Sequence, residues 1–226
     1  YFKAMIWYGR IAFLLRGSEI VKEIDARIAT IQACLLSTAF PSLTIDNTPV
    51  EELWGRIYAV SSFFVGTADD LIPSEYLTSI ENVFGTRFNA TEFTNETKML
   101  DLAGTLAQLR SPQIYGGTGN VMVQPPFSKE QLNEVLEKTK GMRLMGQRFV
   151  PDSYMFQNLV FPTTGQYTGD GTPFTSWMGQ RVMPRGLDIM TILGSTRARE
   201  HLDAEGDGAY EFYDRQIENL SGTFAS

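Results

Sequence analysis

Near the C-terminal end of the sequence, Asp203-Ala204-Glu205-Gly206-Asp207-Gly208 sets oxygens at the first, third and fifth places of a loop and a glycine at the sixth. Tyr210 then falls at the eighth place, Glu211 at the ninth and Asp214 at the twelfth. This is the layout by which an EF-hand loop wraps calcium, with oxygen ligands from alternating positions and a sharp turn at the sixth. Asp203, Glu205, Asp207, Glu211 and Asp214 are therefore candidate metal ligands, and calcium is the cofactor the spacing suggests. Two departures stand against it. Glu205 replaces the usual Asp or Asn at the third place, and Asp214 at the twelfth reaches less far than the glutamate that closes a tight site. The competing reading is a glycine-containing turn between two helices, with Asp207 capping the second.

Carboxylates supply the other candidate chemistry. Asp69 and Asp70 follow the apolar Phe63-Phe64-Val65-Gly66, and Asp152 follows Phe149-Val150-Pro151. Two acids held across a cleft can act as acid and base on a glycosidic bond. Tyr154, Phe156, Phe161 and Trp177 would then offer a wall on which sugar rings stack. Against this, an aspartate ahead of a helix is commonly a cap, and adjacent acids at a helix end are commonly solvated. Arg181 and Arg185 with Asp188 read as an internal ion-pair set that orders the irregular tail.

Other devices are excluded by residue type. There is no Gly-x-Ser-x-Gly elbow for a serine nucleophile. His201 is the single histidine, and in Thr196-Arg197-Ala198-Arg199-Glu200-His201 it reads as a cation at a helix end. The run Tyr115-Gly116-Gly117-Thr118-Gly119-Asn120 lacks the Lys-Ser/Thr that completes a phosphate loop and reads as a surface loop. Cys34 is the only cysteine, which rules out an internal disulfide and a cysteine zinc cluster; it reads as a small buried residue.

Asn89-Ala90-Thr91, Asn95-Glu96-Thr97 and Asn219-Leu220-Ser221 are glycan-acceptor sequons. They point to export, and so to an extracellular or cell-surface address for a glycoprotein. Net charge is −7 with no basic block, so a nucleic-acid backbone or an anionic membrane surface would be repelled. No apolar run approaches the roughly 20 residues of a membrane span. With 43% hydrophobic and 20% charged residues among 226, the composition is that of a globular protein able to bury a large core.

The elements expected to position these residues are helices. Residues 1–16 read as the tail of a helix ending at Gly17. Ser18 would cap a second, along which Ile20, Val21, Ile24, Ile28, Ile31 and Leu35 recur at helical spacing. Thr48-Pro49-Val50-Glu51 is a capping box opening a helix through Leu53, Ile57, Val60 and Phe64. Further helices start at Ser74, Thr94 and Ser128, the last with a second capping box, Ser128 to Gln131. From 141 to 180 the chain turns irregular and rich in Gly, Pro and aromatics, with a strand allowed at 142–150 and a short helix after Asp152. Helical character returns at 186–193, 196–202 and 209–220. The expectation is an all-α fold, a single domain over 1–226.

Four phrases, YFKAMIWYGR at the start, FVGTADDL from Phe64, MGQRFVPDSYMFQ from Met145 and MPRGLDIMTILGS from Met183, resemble the family called domain of unknown function 3160. The matches run in that family's order along essentially the whole chain. The resemblance implies a long, largely helical protein, often secreted or lipid-anchored, of which this chain would be the C-terminal portion, with the remaining N-terminal portion as its nearest partner. It implies no reaction and carries over no catalytic residues. Family members are similar near Tyr210 and Tyr213 in having a plain helix-turn-helix, which lowers the calcium reading. The functional expectation is an exported or cell-surface protein with a structural or binding role, with glycans or a surface assembly among its partners. The alternative is a secreted hydrolase acting on glycans through an aspartate pair.

Overall fold

The computed structural model describes residues 2–18, 20–115 and 128–225; the glycine-rich run at 116–120 lies outside them. The chain clusters into two compact units, Tyr1–Val123 with Asn133–Phe149 and Gln124–Leu132 with Val150–Ser226.

In the first unit α1 (Phe2–Arg10) leads through β1 (Phe13–Leu14) to α2 (Glu23–Ala39). A small hairpin of β2 (Thr44–Ile45) and β3 (Thr48–Pro49) precedes α3 (Val50–Val65). Then come α4 (Pro73–Phe84), a 3-10 turn at Ala90–Thr94 and α5 (Glu96–Ala107). α6 (Lys129–Lys138), whose first four residues fall in the second unit, is followed by β4 (Gly141–Met142), which pairs antiparallel with β1, Leu14 opposite Gly141. A side chain at position 141 would run into the Phe13 carbonyl, so only glycine allows that approach.

The core of this unit is made by α2, α4 and α5, where Cys34, Tyr76, Ile80, Leu102 and Leu106 are fully buried together with Met142. α2 meets the others through Ala26, Thr30, Ala33, Cys34 and Ser37. These share one helical face, and being small they let the neighbouring backbones come close. The bulky stripe expected to do this work faces outward instead, with Ile24, Ile28 and Leu35 exposed. α3 goes further: none of its residues is buried.

The second unit contains α7 (Pro151–Asn158), a hairpin of β5 (Ser176–Trp177) and β6 (Gln180–Arg181), α8 (Gly186–Ile192), α9 (Thr196–Ala204) and α10 (Tyr213–Phe224). Its core joins Met155, Leu159, Ile192, Tyr210, Tyr213 and Leu220. The stretch between α7 and α8, which carries no apolar periodicity, is held by polar contacts described below.

The all-α expectation is corrected to a helix-rich mixed fold. Among the described residues there are three two-stranded antiparallel pairs. Each strand has two residues, too short to leave an alternating pattern in the sequence. Element ends shift for local reasons. The first helix stops at Arg10, because Phe13–Leu14 pairs with β4. Ser18 closes a turn, its Oγ accepting from the Ile20 and Val21 N–H groups at 3.2 and 3.1 Å, and α2 begins only at Glu23. Thr48 and Pro49 are the strand β3 rather than the opening of a helix. Of the strand allowed at 142–150, only Met142 lies in a strand, and Arg148 makes an isolated antiparallel bridge to Ala68. The capping box at Ser128 does form, Gln131 Oε1 accepting from the Ser128 N–H at 2.7 Å and Ser128 Oγ from that of Gln131 at 3.3 Å. Among the described residues no helix is long and apolar enough to cross a membrane.

Candidate functional site

The outward faces of α1, α2 and α3 converge on a groove of about 950 Å³ in the first unit. Trp7 and Tyr8 come from α1, Phe13 from β1, Leu35 and Leu36 from α2, and Val50, Leu53, Trp54 and Ile57 from α3, with Phe40, Ile45, Leu144 and Met145 filling between. Apart from Gln32, every lining residue is aliphatic, aromatic or a methionine. A concavity of this size and character suits an apolar ligand or the apolar face of another segment.

The wall made by α3, which has no fully buried residue, is fixed through polar and aromatic contacts of its half-buried Trp54 and Tyr58. Trp54 donates its indole N–H to the Leu144 carbonyl at 2.8 Å. Tyr58 stacks on Trp54 with ring centroids 4.8 Å apart, and its hydroxyl oxygen accepts the Ala68 N–H at 3.0 Å. Arg148 lies 4.3 Å over the Tyr58 ring and donates to Ser61 Oγ at 2.6 Å. The groove therefore has a rigid side set by specific hydrogen bonds and a cation–π contact.

Asp69 and Asp70 are both buried beside this unit's core. Asp69 accepts from the backbone N–H groups of Gln113 and Ile114 at 2.9–3.0 Å. Asp70 takes Arg143 Nη1 at 2.7 Å on both oxygens and the Gln147 N–H at 3.1 Å. Gly146 permits this closure, for any side chain there would strike the Asp70 carboxylate. Burial pushes the Asp70 carboxyl above its ordinary range, with Arg143 and the Gln147 N–H opposing. Arg110 ties the same turn down, donating to the Ala68 and Asp70 carbonyls at 3.2 and 2.8 Å. The two acids thus hold backbone and a buried cation. Asp152 sits exposed in the first turn of α7 in the second unit, where a negative charge suits the helix dipole.

The second unit is organised around Arg181, whose side chain is fully buried. It donates to the Leu159 carbonyl at 2.7 Å, to the Asp207 carbonyl at 3.1 Å and to both Asp188 oxygens at 2.9 Å. Asp188 also accepts from Tyr213 Oη at 2.6 Å and from the Arg185 N–H at 2.7 Å. Burial first, then the Asp188 charge, pushes the Tyr213 hydroxyl far above its ordinary value. Asp207, also fully buried, accepts from Thr175 Oγ1 at 2.8 Å and pairs with Arg185. The Arg181–Asp188 pair read from the sequence is therefore formed, whereas the Arg185 side chain pairs with Asp207 and gives Asp188 only its backbone N–H.

The acidic loop is part of this network. Asp203 and Asp214 both pair with Arg199, at 2.9 and 2.6 Å. Glu205 and Asp207 both pair with Arg185. Glu211 accepts the Gln166 N–H at 3.0 Å. The five carboxylates are thus shared among two arginines, the Thr175 hydroxyl and a backbone group. Among the described residues no group of three or more His, Cys, Asp or Glu is placed to hold a metal ion. Leu35, Leu53 and Ile57, which recur at helical spacing in the sequence, line the groove, but spacing alone does not show that the faces bearing them meet around a cavity.

Taken together these features define a helix-rich protein of two compact units. The chain belongs to the family described as Protein of unknown function (DUF3160), whose model matches residues 1–226. No curated protein and no solved structure matches it.

Proposed function

We propose that this chain is an exported, cell-surface structural or binding component, and that the groove bounded by α1, α2 and α3 seats the N-terminal portion of the same protein. The observation that carries this is the bareness of α3. Val60, Phe63 and Phe64, further along the helix that lines the groove with Leu53, Trp54 and Ile57, are 61%, 84% and 78% exposed. An amphipathic helix ordinarily buries such a stripe, and an apolar patch of this extent marks an interaction site. A segment of the same polypeptide is the favoured occupant because tethering holds it at about millimolar effective concentration, so the groove closes without a free partner. Export is supported by the three sequons and the acidic composition.

The test compares this chain alone with the natural full-length protein, using a fluorescent dye that brightens on apolar surfaces. The chain alone should brighten the dye, the Ile57→Glu variant should do so less, and the full-length protein should leave it dark. Equal brightness for chain and full-length protein, or a natural polypeptide no longer than this chain, would refute the docking reading. Recovery of the natural protein from the cytosol would refute export.

A further inference from the structure

The three sequons are alike in sequence and unlike in structure. Asn89, Ala90 and Thr91 are all exposed, as are Asn95, Glu96 and Thr97. The 3-10 turn between them is anchored inward by Phe93, which packs edge-on against Phe84 with centroids 5.3 Å apart. That anchor leaves both asparagines on the outside of a fixed segment. Asn89 uses only Oδ1, which accepts from the Thr91 N–H and from Thr91 Oγ1, each at 3.0 Å. Asn95 likewise uses Oδ1, accepting the Lys98 N–H at 3.1 Å. In both, the amide nitrogen Nδ2 makes no hydrogen bond among the described residues.

Asn219 is exposed too, but it stands inside α10. Its neighbour Leu220 is buried in the core of the second unit. The third residue, Ser221, donates its hydroxyl to the Ile192 carbonyl at 2.9 Å. A transferase that must grasp the hydroxyl of the third residue would have to break the Ser221–Ile192 bond and withdraw Leu220 from the core, whereas Glu96 and Thr97, in the first turn of α5, are both exposed.

We infer that the chain carries its N-linked glycans on the α4–α5 connection, at Asn89, Asn95 or both, and that folding withholds Asn219. The reaction joins Nδ2 to the anomeric carbon of an oligosaccharide carried on a lipid diphosphate. The C1–O bond breaks, the lipid diphosphate leaves with the electron pair, and the Nδ2 proton passes to a base of the transferase. No electrons are exchanged with an outside agent. The product keeps every hydrogen bond described, because Oδ1 is untouched and Nδ2 retains one hydrogen.

The biological occurrence of these glycans rests on the export reading, whereas acceptor competence does not, so the test addresses competence directly. Folded chain is incubated with an oligosaccharyltransferase and a lipid-diphosphate oligosaccharide, and glycopeptides are located by mass spectrometry. A synthetic peptide covering 213–226 is treated in parallel. Glycan on Asn89, Asn95 or both, with Asn219 bare in the chain and modified in the peptide, bears the inference out. Asn89→Asp and Asn95→Asp keep a capping oxygen and should each abolish modification at that position alone, leaving the fold intact. Glycan on Asn219 of the folded chain, or both Asn89 and Asn95 bare, overturns it. So does a peptide left unmodified, because folding would then not be what protects Asn219. A cytosolic address for the natural protein would sink export and leave this result standing.

Discussion

Arg181 and Asp188 form an ion pair in which neither side chain touches solvent, with Arg181 Nη2 at 2.9 Å from each carboxylate oxygen. The guanidinium also lies 4.8 Å over the Tyr213 ring, whose hydroxyl donates to the same carboxylate. Such a pair is costly to desolvate and becomes far costlier when one member is lost, because the other is then buried alone. Asp188→Ala should destabilise the chain by roughly 3–5 kcal/mol. Arg181→Met combined with Asp188→Leu should cost less than that single change. Urea unfolding followed by circular dichroism checks both, and a double variant as unstable as Asp188→Ala, or more so, would refute the account.

Cys34 tests the core of the first unit. Burial pushes its thiol up from 9.0 to about 12. At pH 8 the native chain should resist iodoacetamide and react only on unfolding. The pH dependence has a definite sign. The contribution is fully present below about pH 9 and is lost as pH rises towards about 12, because over that window the folded chain keeps a proton that the unfolded chain releases. Stability should therefore fall by about 1.4 kcal/mol per pH unit relative to Cys34→Ala, which lacks the titration. Parallel stability curves for the two proteins from pH 8 upward would show the burial to be overstated.

How much of this was legible beforehand differs between the two units for physical reasons. Helices with strong local signals are where the sequence places them: α4 begins at Pro73, α8 spans Gly186–Ile192 and α9 spans Thr196–Ala204. Which face of a helix is core was harder to read. α2 offers a bulky isoleucine stripe and a small-residue face, and close packing selects the small one. Hydrophobic periodicity cannot see that choice, because a bulky stripe leaves the same helical spacing whether it faces the core or solvent. The two-residue strands leave no periodic trace, since each depends on a partner distant in sequence, as Phe13 does on Met142. Asp69 and Asp70 were visible as acids, but their partners Ile114 and Arg143 lie 45 and 73 residues away. Spacing also could not show that Arg199 and Arg185 take up the carboxylates of the acidic loop.

Tyr76 is fully buried between α2 and α5, and its hydroxyl is without a hydrogen-bond partner among the described residues. A buried hydroxyl left unpaired gives up its water without compensation. Tyr76→Phe removes that atom and keeps the ring, so it should be neutral or stabilise by up to about 1 kcal/mol. A clear loss of stability in chemical denaturation would mean that the hydroxyl is satisfied in solution.

Met178 and Gly179 form the two-residue turn of the β5–β6 hairpin, and both have positive φ, 51° and 78°. That turn type matches the twist of the flanking strands and favours Asn-Gly over bulkier pairs. Glycine at the second position is ideal. Methionine at the first is strained, because its Cβ crowds the following carbonyl at a cost of roughly 1–2 kcal/mol. Nothing is gained by packing in return, since Met178 is 79% exposed. Met178→Asn should raise stability by about 1 kcal/mol by relieving the turn alone. Met178→Val should lower it, as β-branching tolerates a left-handed backbone poorly. Thermal unfolding of the three proteins gives the order directly: asparagine above methionine above valine. If methionine proves the most stable of the three, the side chain is held by contacts that this hairpin does not make on its own.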